Sequence, residues 1–230
     1  MKAIVLAGGL GTRLAHVTSD IPKAMAPIRS RPFLEYLLGY LVEQGFEGVT
    51  LAVSYKWEVI REHFGSVYRG MPLNYSVEDE PLGTGGAICQ ALEFLSDDEV
   101  AVLNGDTLFR VDLKGLADTH RQGGARLSIA LKQVDDCGRF GRVEMSTDGV
   151  ITDFLEKSMA GPGWINGGVY MLNRDLMTDF PMPAKFSFEQ DLVEANLERI
   201  QPRAFCSDAY FIDMGVPEDY VRAQREIGVA

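Results

Sequence analysis

The sequence predicts an α/β fold in which helices cover both faces of a mostly parallel sheet. Two observations carry this prediction. Short apolar runs of strand length alternate with stretches of helical periodicity, and the runs in the first half are continuous rather than alternating. Continuous apolar strands are typical of a parallel sheet, because helices bury both of its faces. No linker-like stretch or repeat interrupts the chain, so we expect a single domain over residues 1–230.

The first half alternates predicted strands with predicted helices. Leucines at helical spacing from Leu34 predict a helix that Gly45 can end. Further helices are predicted over residues 57–64 and 86–95. The predicted strands of this half are residues 2–7, 49–54, 73–77 and 100–104.

The second half is typical of a series of strands accompanied by two helices. Ser187, followed by Gln190 three residues later, forms a capping box that predicts a helix to about Ile200. Pro217 favours the first turn of a closing helix over residues 217–228. The predicted strands of this half lie at residues 125–134, 141–146, 150–157, 167–173 and 203–208.

Composition and charge narrow the classes of partner. Apolar residues make up 46% of the chain, enough for a packed core. The formal net charge of -11 would repel nucleic acids and anionic membranes, so neither is an expected partner. The three cysteines are far apart and match no metal spacing, which indicates a reducing compartment.

The apolar run at residues 3–7 is too short for a signal peptide, and no stretch is long enough to cross a bilayer. We therefore expect a cytoplasmic protein. Nothing in the sequence indicates a homo-oligomer.

The chain opens with an apolar strand that runs into a glycine-rich loop, "MKAIVLAGGLGTRL". Such a loop suits phosphate, because glycine lets backbone N–H groups approach an anion. It is not a P-loop, and Leu14 stands where a dinucleotide-binding fingerprint needs glycine. Arg13 can grip phosphate in a forked geometry, and Lys23 follows soon after. A tight turn between a strand and a helix, with two surface cations, is the alternative.

Six short motifs, found in order along nearly the whole chain, resemble those of the sugar-1-phosphate nucleotidylyltransferases. That family joins a nucleoside triphosphate to a sugar 1-phosphate and releases pyrophosphate. The resemblance implies a Rossmann-like three-layer α/β/α sandwich with a mostly parallel mixed sheet. The motifs are "LAGGLGTRL" with "PKAMAPI", "EPLGTGGAI", "LNGDTLF", "EK" at 156–157, "NGGVY" and "FIDMGVPEDY".

The reaction brings two anions together, so it needs cations near the phosphates and carboxylates that hold a metal ion. The resemblance implies that Arg13 grips the β- and γ-phosphates and that Lys23 lies along the triphosphate. Asp106 and Asp213 match the two metal positions of the family, and two carboxylates suit Mg²⁺. Asp106 alone would be typical of a turn after a strand. Arg13, Lys23 and Asp106 are thus the implied catalytic residues.

The resemblance also implies a nucleotide site built from the opening loop and residues 80–88. Leu82 and Gly83 would lie against the base, whose edge the backbone would read, and Glu78 is a further candidate to face it. By sequence alone, residues 80–88 are typical of a loop that leads into a helix. The implied nucleotide-binding residues are Leu6, Ala7, Gly8, Gly9, Gly11, Thr12, Arg13, Lys23, Leu82, Gly83 and Thr84.

The implied sugar-phosphate site comes from the second half of the chain and Gly105. Lys157 would neutralise the sugar phosphate. Glu156 and Asn166 would bond sugar hydroxyls, and Gly167 would let the sugar come close. Without the resemblance, Glu156 and Lys157 would be typical of a solvated strand end, and Asn166 with Gly167 of a turn.

Within the family, the chain most resembles the short guanylyltransferases that act on D-glycero-α-D-manno-heptose 1-phosphate. The implied substrates are GTP and that sugar phosphate, and the implied product is a GDP-heptose. A uridylyltransferase acting on N-acetylmuramate 1-phosphate is one alternative. A non-catalytic sensor of nucleotides or sugar phosphates is another, although the presence of all the implied catalytic and metal residues disfavours it.

Several titratable residues belong to no motif. Asp112, Asp135 and Asp136 are expected to be surface charges. The three histidines form no ligand pattern, although His16 lies near the opening loop.

Overall fold

The computed structural model describes residues 1–9, 21–155 and 160–228. In these ranges the strands are β1 (Lys2–Leu6), β2 (Pro27–Ile28), β3 (Arg31–Pro32), β4 (Gly48–Val53), β5 (Val67–Tyr68), β6 (Met71–Val77), β7 (Glu99–Asn104), β8 (Thr107–Phe109), β9 (Leu127–Val134), β10 (Arg142–Met145), β11 (Ile151–Leu155), β12 (Gly163–Asn173), β13 (Arg203–Ser207) and β14 (Phe211–Asp213). The helices are α1 (Phe33–Glu43), α2 (Trp57–Phe64), α3 (Gly83–Leu92), α4 (Leu113–Gln122), α5 (Leu176–Asp179), α6 (Leu197–Ile200) and α7 (Pro217–Glu226).

The main sheet is mixed, and its parallel part comes from the first half of the chain. Strands β7, β1, β4 and β6 lie side by side and parallel, with Val5 of β1 opposite both Leu51 and Leu103. The long strand β12 runs antiparallel to β7 and also pairs with β9 and β10. Strand β9 in turn pairs with β13, and β10 with β11, so all the added strands come from the second half. The carboxyl ends of the parallel strands thus share one edge, where open α/β sheets bind ligands.

Apolar layers cover both faces of this sheet. Val5 of β1 packs into the layer that contains α1, α2 and α4, whereas Ile4 packs into the layer that contains α3. Successive side chains of a strand point to opposite faces, so a strand between two helical layers is apolar throughout. This arrangement is the expected three-layer sandwich, and it explains the continuous apolar runs.

Helix α3 begins three residues earlier than the sequence predicts and ends at Leu92 rather than at residue 95. The N–H of Leu82, just before the helix, donates to Glu78 Oε2 (2.9 Å), and its carbonyl accepts from the N–H of Phe186 (3.0 Å). These tertiary contacts fix the start of the helix. Gly83 and Thr84 therefore lie in the first helical turn and not in a preceding loop.

The continuous helix predicted over residues 187–200 was wrong. The chain forms a π-helical segment at Phe188–Val193, a 3-10 turn at Glu194–Asn196, and then α6. The Asn196 side chain donates to the Leu192 carbonyl (2.8 Å), and such a contact competes with regular helical bonding.

The capping box before this segment is only half as predicted. The Ser187 hydroxyl accepts from the N–H of Gln190 (3.2 Å), as a cap should. The Ser187 N–H, however, donates to Asp191 Oδ2 (2.7 Å) instead of to Gln190.

Two aspartates expected to be mere surface charges have structural partners. Asp112 caps α4, a helix not predicted from the sequence, by accepting from the N–H of Gly115 (3.0 Å). Asp136 accepts from the N–H groups of Gly138 (2.9 Å) and Gly161 (3.2 Å). Asp135 is exposed, as expected.

Of the three histidines, His120 is buried between the Ser128 hydroxyl and the Asn173 amide oxygen, both 2.9 Å from its ring. His63 lies 3.9 Å from Glu35 on the surface, and His16 is outside the described residues.

Candidate active site

Two cavities open at the carboxyl ends of the parallel strands, and they meet at three residues. The smaller has a volume of about 490 Å³ and the larger about 780 Å³. Lys23, Asn104 and Asp106 line both of them. Two binding spaces that share a cation and a carboxylate suit a reaction between two bound molecules.

The smaller cavity is built from the first half of the chain. The loop after β1 stays tied to the sheet, because Ala7 N–H donates to the Ala52 carbonyl and Ser54 hydroxyl to the Gly8 carbonyl. The lining also contains small side chains, which leave room for a flat ring. Its residues are Leu6, Ala7, Gly8, Gly9, Lys23, Ala24, Ala52, Ser54, Glu78, Pro81, Gly83, Thr84, Ala87, Asn104, Gly105 and Asp106.

Most of the expected nucleotide-binding residues that the structure describes line this cavity, but Leu82 does not. Both backbone groups of Leu82 are bonded within the protein, to Glu78 and Phe186. Glu78, by contrast, does line the cavity. Gly11, Thr12 and Arg13 lie outside the described residues. Gly105, expected on the sugar side, lines the smaller cavity instead.

Burial raises the pKa of the Glu78 carboxyl above its ordinary value, whereas the hydrogen bond from Leu82 opposes that rise. A carboxylate in such a place is an acceptor for N–H groups of a ligand.

Gly83 is needed for the close packing of α3 against the chain at Phe186. Its φ of +71° lies in the left-handed region, and an added Cβ would overlap the Phe186 carbonyl. This glycine therefore serves the approach of another protein segment, whereas the sequence suggested the approach of a base.

Lys23 and Asp106 form an ion pair at the junction of the two cavities. Pro22 leads into the 3-10 turn Lys23–Met25, which holds the largely buried ammonium group near the end of β7. Asp106 follows β7 after one residue, Gly105, and its Oδ1 accepts from the Thr107 hydroxyl (3.3 Å).

Asp213 lies next to Asp106 because β14 pairs antiparallel with β8. In that pairing Asp213 is opposite Thr107, and the Met214 N–H donates to the Asp106 carbonyl (2.8 Å). Burial raises the pKa of the Asp213 carboxyl above its ordinary value, and the negative charge of Asp106 raises it further. The positive charges of Lys23 and Arg139 oppose this rise.

Arg139 is a cation of the larger cavity that no sequence motif indicated. Its guanidinium forms an ion pair with Asp219 of α7 and lies 3.9 Å from Asp213 Oδ2. Arg222, also on α7, lies 3.5 Å from Asp219 Oδ1. The final helix thereby supports the wall that carries Asp213.

The larger cavity draws most of its lining from the second half of the chain. Asn166 and Gly167, two of the residues that the motifs imply for the sugar phosphate, line it, whereas Glu156 and Lys157 lie outside the described residues. Its other polar or charged lining residues are Lys23, Asn104, Asp106, Thr107, Arg139, Arg142, Tyr170, Ser187, Glu189, Gln190, Glu194 and Asp213.

Asn166 sits at an irregularity of β12 and not in the turn that its sequence suggests. The pairing with β9 shifts between Asn166 and Tyr170, and the Asn166 Oδ1 accepts from the N–H of Gly168 (2.9 Å). Such bulges re-aim side chains at the rims of sheets. An added Cβ at Gly167 would overlap the Phe109 ring, so this glycine is needed for packing below the cavity.

The two aspartates fit a hard divalent cation. Within the described ranges, no group of three or more histidine, cysteine, aspartate or glutamate side chains could hold a metal. Mg²⁺ needs fewer protein ligands, since one or two carboxylates and substrate phosphates complete its shell.

Outside the gaps at 10–20, 156–159 and 229–230, no helix is long and apolar enough to cross a membrane.

Comparison with known proteins gives one consistent result. Residues 2–228 match the family described as Nucleotidyl transferase. The chain is 49% identical over 220 residues to the D-glycero-alpha-D-manno-heptose 1-phosphate guanylyltransferase of Campylobacter jejuni, which covers 96% of this chain and 97% of the relative. It is 46% identical over 227 residues to the enzyme of the same name from Aneurinibacillus thermoaerophilus, at 99% and 98% coverage.

The crystal structure of HddC from Yersinia pseudotuberculosis has the same fold. It superposes with a TM-score of 0.88 at 38% identity over 98% of both chains. The structure of HddC complexed with GMP-PN superposes with a TM-score of 0.86. The match over almost the full length, together with the two joined cavities, shows that this chain belongs to the nucleotidyl transferase family.

Proposed function

We propose that this protein transfers a guanylyl group from GTP to D-glycero-α-D-manno-heptose 1-phosphate, forming GDP-heptose and pyrophosphate. The observation that carries the proposal is the meeting of two cavities at the Lys23–Asp106 pair. Both relatives named above carry this activity in their names, and they match this chain over nearly its whole length.

The nucleotide occupies the smaller cavity and the sugar phosphate the larger one. A sugar-phosphate oxygen attacks the α-phosphorus of GTP, the new P–O bond forms, and the bond to the bridging oxygen breaks. Pyrophosphate leaves with the electron pair of that bond. Lys23, at the junction, stabilises the negative charge that the reaction concentrates there.

Asp106 and Asp213 would hold Mg²⁺ at this junction. When bound, the ion supplies neutralisation of phosphate charge and orientation of the reacting groups. We also assign Arg13 with Gly11 and Thr12 to the triphosphate, and Lys157 to the sugar phosphate, as their positions in the family motifs imply.

Guanine is the base that best suits Glu78. The Oε2 of Glu78 already accepts from the N–H of Leu82. The Oε1 of Glu78 faces Gly8, where an added Cβ would lie 3.0 Å away. Guanine carries two adjacent N–H donors, on N1 and N2, which a carboxylate can accept together. Uracil and thymine present only one N–H, and adenine presents none at the ring nitrogen.

The larger cavity suits a sugar with several hydroxyls, because amide, hydroxyl and charged groups line its wall. We propose that Asn166 bonds the sugar and that Glu156, next to Lys157, bonds a further hydroxyl.

The three free thiols, Cys89, Cys137 and Cys206, support the cytoplasm as the site of action.

The test is pyrophosphate release over a matrix of GTP, ATP, UTP, CTP and dTTP against several sugar 1-phosphates. We expect the highest kcat/KM for GTP with the heptose phosphate. A higher kcat/KM for UTP with N-acetylmuramate 1-phosphate would show that the protein is a uridylyltransferase instead. Binding of GTP without turnover of any pair would instead support a sensor.

A further inference from the structure

A chain of hydrogen bonds joins the two cavities at a place away from the Lys23–Asp106 junction. Glu189 is its centre. Its Oε1 accepts from the Tyr170 hydroxyl (3.0 Å), and its Oε2 accepts from the Thr84 hydroxyl (2.8 Å). The Tyr170 hydroxyl oxygen accepts in turn from Asn166 Nδ2 (3.0 Å). Asn166 lines the larger cavity and Thr84 the smaller one.

The charge of Glu189 fixes the direction of every bond in this chain. An ionised carboxylate only accepts, so both hydroxyls must donate to it. The Tyr170 hydroxyl has one proton, which goes to Glu189, so its oxygen is left to accept from Asn166. Burial raises the pKa of the Tyr170 hydroxyl well above its ordinary value, and the nearby Glu189 charge acts in the same direction. Tyr170 therefore keeps the proton that it donates.

The orientation of the Asn166 amide follows from these bonds. Its Nδ2 is held by Tyr170, and its Oδ1 accepts from the N–H of Gly168. One N–H and one oxygen lone pair then remain for a ligand in the larger cavity. A reversed Asn166 amide would place its N–H groups against the N–H of Gly168. The chain of hydrogen bonds therefore favours one orientation of this amide.

On the other side, Glu189 holds the beginning of α3. The Thr84 hydroxyl donates to Glu189 and accepts from the N–H of Phe188 (2.8 Å). Since its only proton is used, Thr84 contributes shape rather than a hydroxyl donor to the smaller cavity. The same contact holds the first turn of α3 in place under that cavity.

We propose that Glu189 is a positioning residue for both substrates: it orients the Asn166 amide toward the sugar through Tyr170 and sets the base-side start of α3 through Thr84. This inference rests on the proposed function, because it takes the sugar to be in the larger cavity and the base in the smaller. Glu189 would act without touching the reacting atoms.

Each link of the chain can be cut separately. Y170F removes the hydroxyl and keeps the ring, which packs edge to face on Phe188 with centroids 5.3 Å apart. T84V removes the hydroxyl at equal size, and T84S restores it. E189Q keeps the shape of Glu189 but ends its accept-only character. E198Q, on an exposed side chain of α6, is the matched control.

The measurement is KM for each substrate, with the thermal midpoint of every variant. We expect Y170F to raise KM for the sugar phosphate roughly tenfold, since a hydrogen bond to a charged group is lost, with little change for GTP. T84V should raise KM for GTP instead, and T84S should restore it. E189Q should raise both, and the double variant E189Q/Y170F should raise the sugar-phosphate KM no more than E189Q alone. E198Q should match the wild type.

Equal rises of both KM values in Y170F and in T84V, or lowered thermal midpoints with unchanged KM values, would overturn the inference and leave only a structural role. If E189Q does not fold, the test is whether Y170F raises only the KM for the sugar phosphate and T84V only the KM for GTP. The wild type is assayed first: its failure to release pyrophosphate from any pair counts against the proposed function. Direct binding of GTP and of the sugar phosphate to the same variants then still tests Glu189.

Discussion

Asp213 lies against Asp106 in the wall of the larger cavity, although the two residues come from opposite halves of the chain, because the short strands β8 and β14 pair there. Their closeness is unfavourable in the metal-free protein. Burial and the Asp106 charge both raise the pKa of Asp213, which means that its ionised form is disfavoured in the folded state.

Replacing Asp213 with asparagine should therefore separate activity from stability. Turnover should fall roughly 100-fold or more, because the variant loses a carboxylate that we propose binds Mg²⁺. The metal-free variant should nevertheless unfold at a higher temperature than the wild type, because a buried like charge is removed. Scanning calorimetry with chelator, then with added Mg²⁺, measures this. D208N, on an exposed aspartate, is the control.

The pH dependence of this effect has a definite sign. A raised folded-state pKa of an aspartate costs stability above that pKa, and the cost disappears as pH falls and the group is protonated. The stability gain of D213N should thus be largest at neutral pH and shrink on acidification. If D213N is instead less stable than the wild type when both lack metal, the Asp213 carboxylate is favourably placed and this expectation is wrong.

Glu78 should determine the preference for guanine. ITP lacks the N2 amino group of GTP, so the wild type should favour GTP by about tenfold or more if the carboxylate accepts from that group. In E78Q the preference for GTP over ITP should largely vanish, because an amide replaces one acceptor oxygen by a donor. The kcat/KM values for GTP, ITP and ATP are compared. An unchanged ratio of GTP to ITP in E78Q would move base recognition elsewhere.

Gly83 should be intolerant of a side chain. Alanine there combines an unfavourable φ of +71° with overlap of the Phe186 carbonyl. Gly124 has a φ of +57°, but a Cβ added there would meet no atom within 4 Å, so G124A carries the backbone strain alone. We expect G83A to lose about 1–3 kcal/mol more than G124A in the free energy of unfolding. Urea titration measures both, and equal losses would show that Phe186 can move aside.

Arg13 and Lys157 should divide the two substrates between them. R13A should raise KM for GTP about tenfold or more, and K157A should do the same for the sugar phosphate, since each loses a charge-assisted contact to one phosphate group. Separate titrations of each substrate against each variant test this. Similar effects of both variants on both substrates would remove the division.

The parallel half of the fold could be predicted closely, because its signals are local. The continuous apolar runs located β1, β4 and β7 within one or two residues, and helix α2 agreed at both ends. The early start of α3 could not be predicted, since it depends on a contact with Phe186, which is distant in the sequence, as well as on the local contact with Glu78.

The candidate site was predictable only where motifs carried it. Lys23, Asp106 and Asp213 do lie together, whereas the roles of Arg13 and Lys157 stay predictions. Arg139 belongs to no motif, and Glu189 lies in the family-like stretch "FSFEQDL" without an implied role, because an exposed arginine and an acidic residue in a first helical turn are ordinary features. Their significance comes from neighbours that only the folded chain brings to them.

The split of the lining between the two cavities has a consequence for how such an enzyme acquires new substrates. Among the described residues, all of those around the smaller cavity precede residue 107, while most of those around the larger cavity follow residue 138. The wall of the larger cavity, which we propose holds the sugar, can therefore vary in the carboxy-terminal half without a change in the lining of the smaller cavity, provided that Asp213 stays beside Asp106. A graft of this kind must retain the contacts that cross between the two halves, among them those of Glu189 with Thr84, Phe186 with Leu82 and Met214 with Asp106.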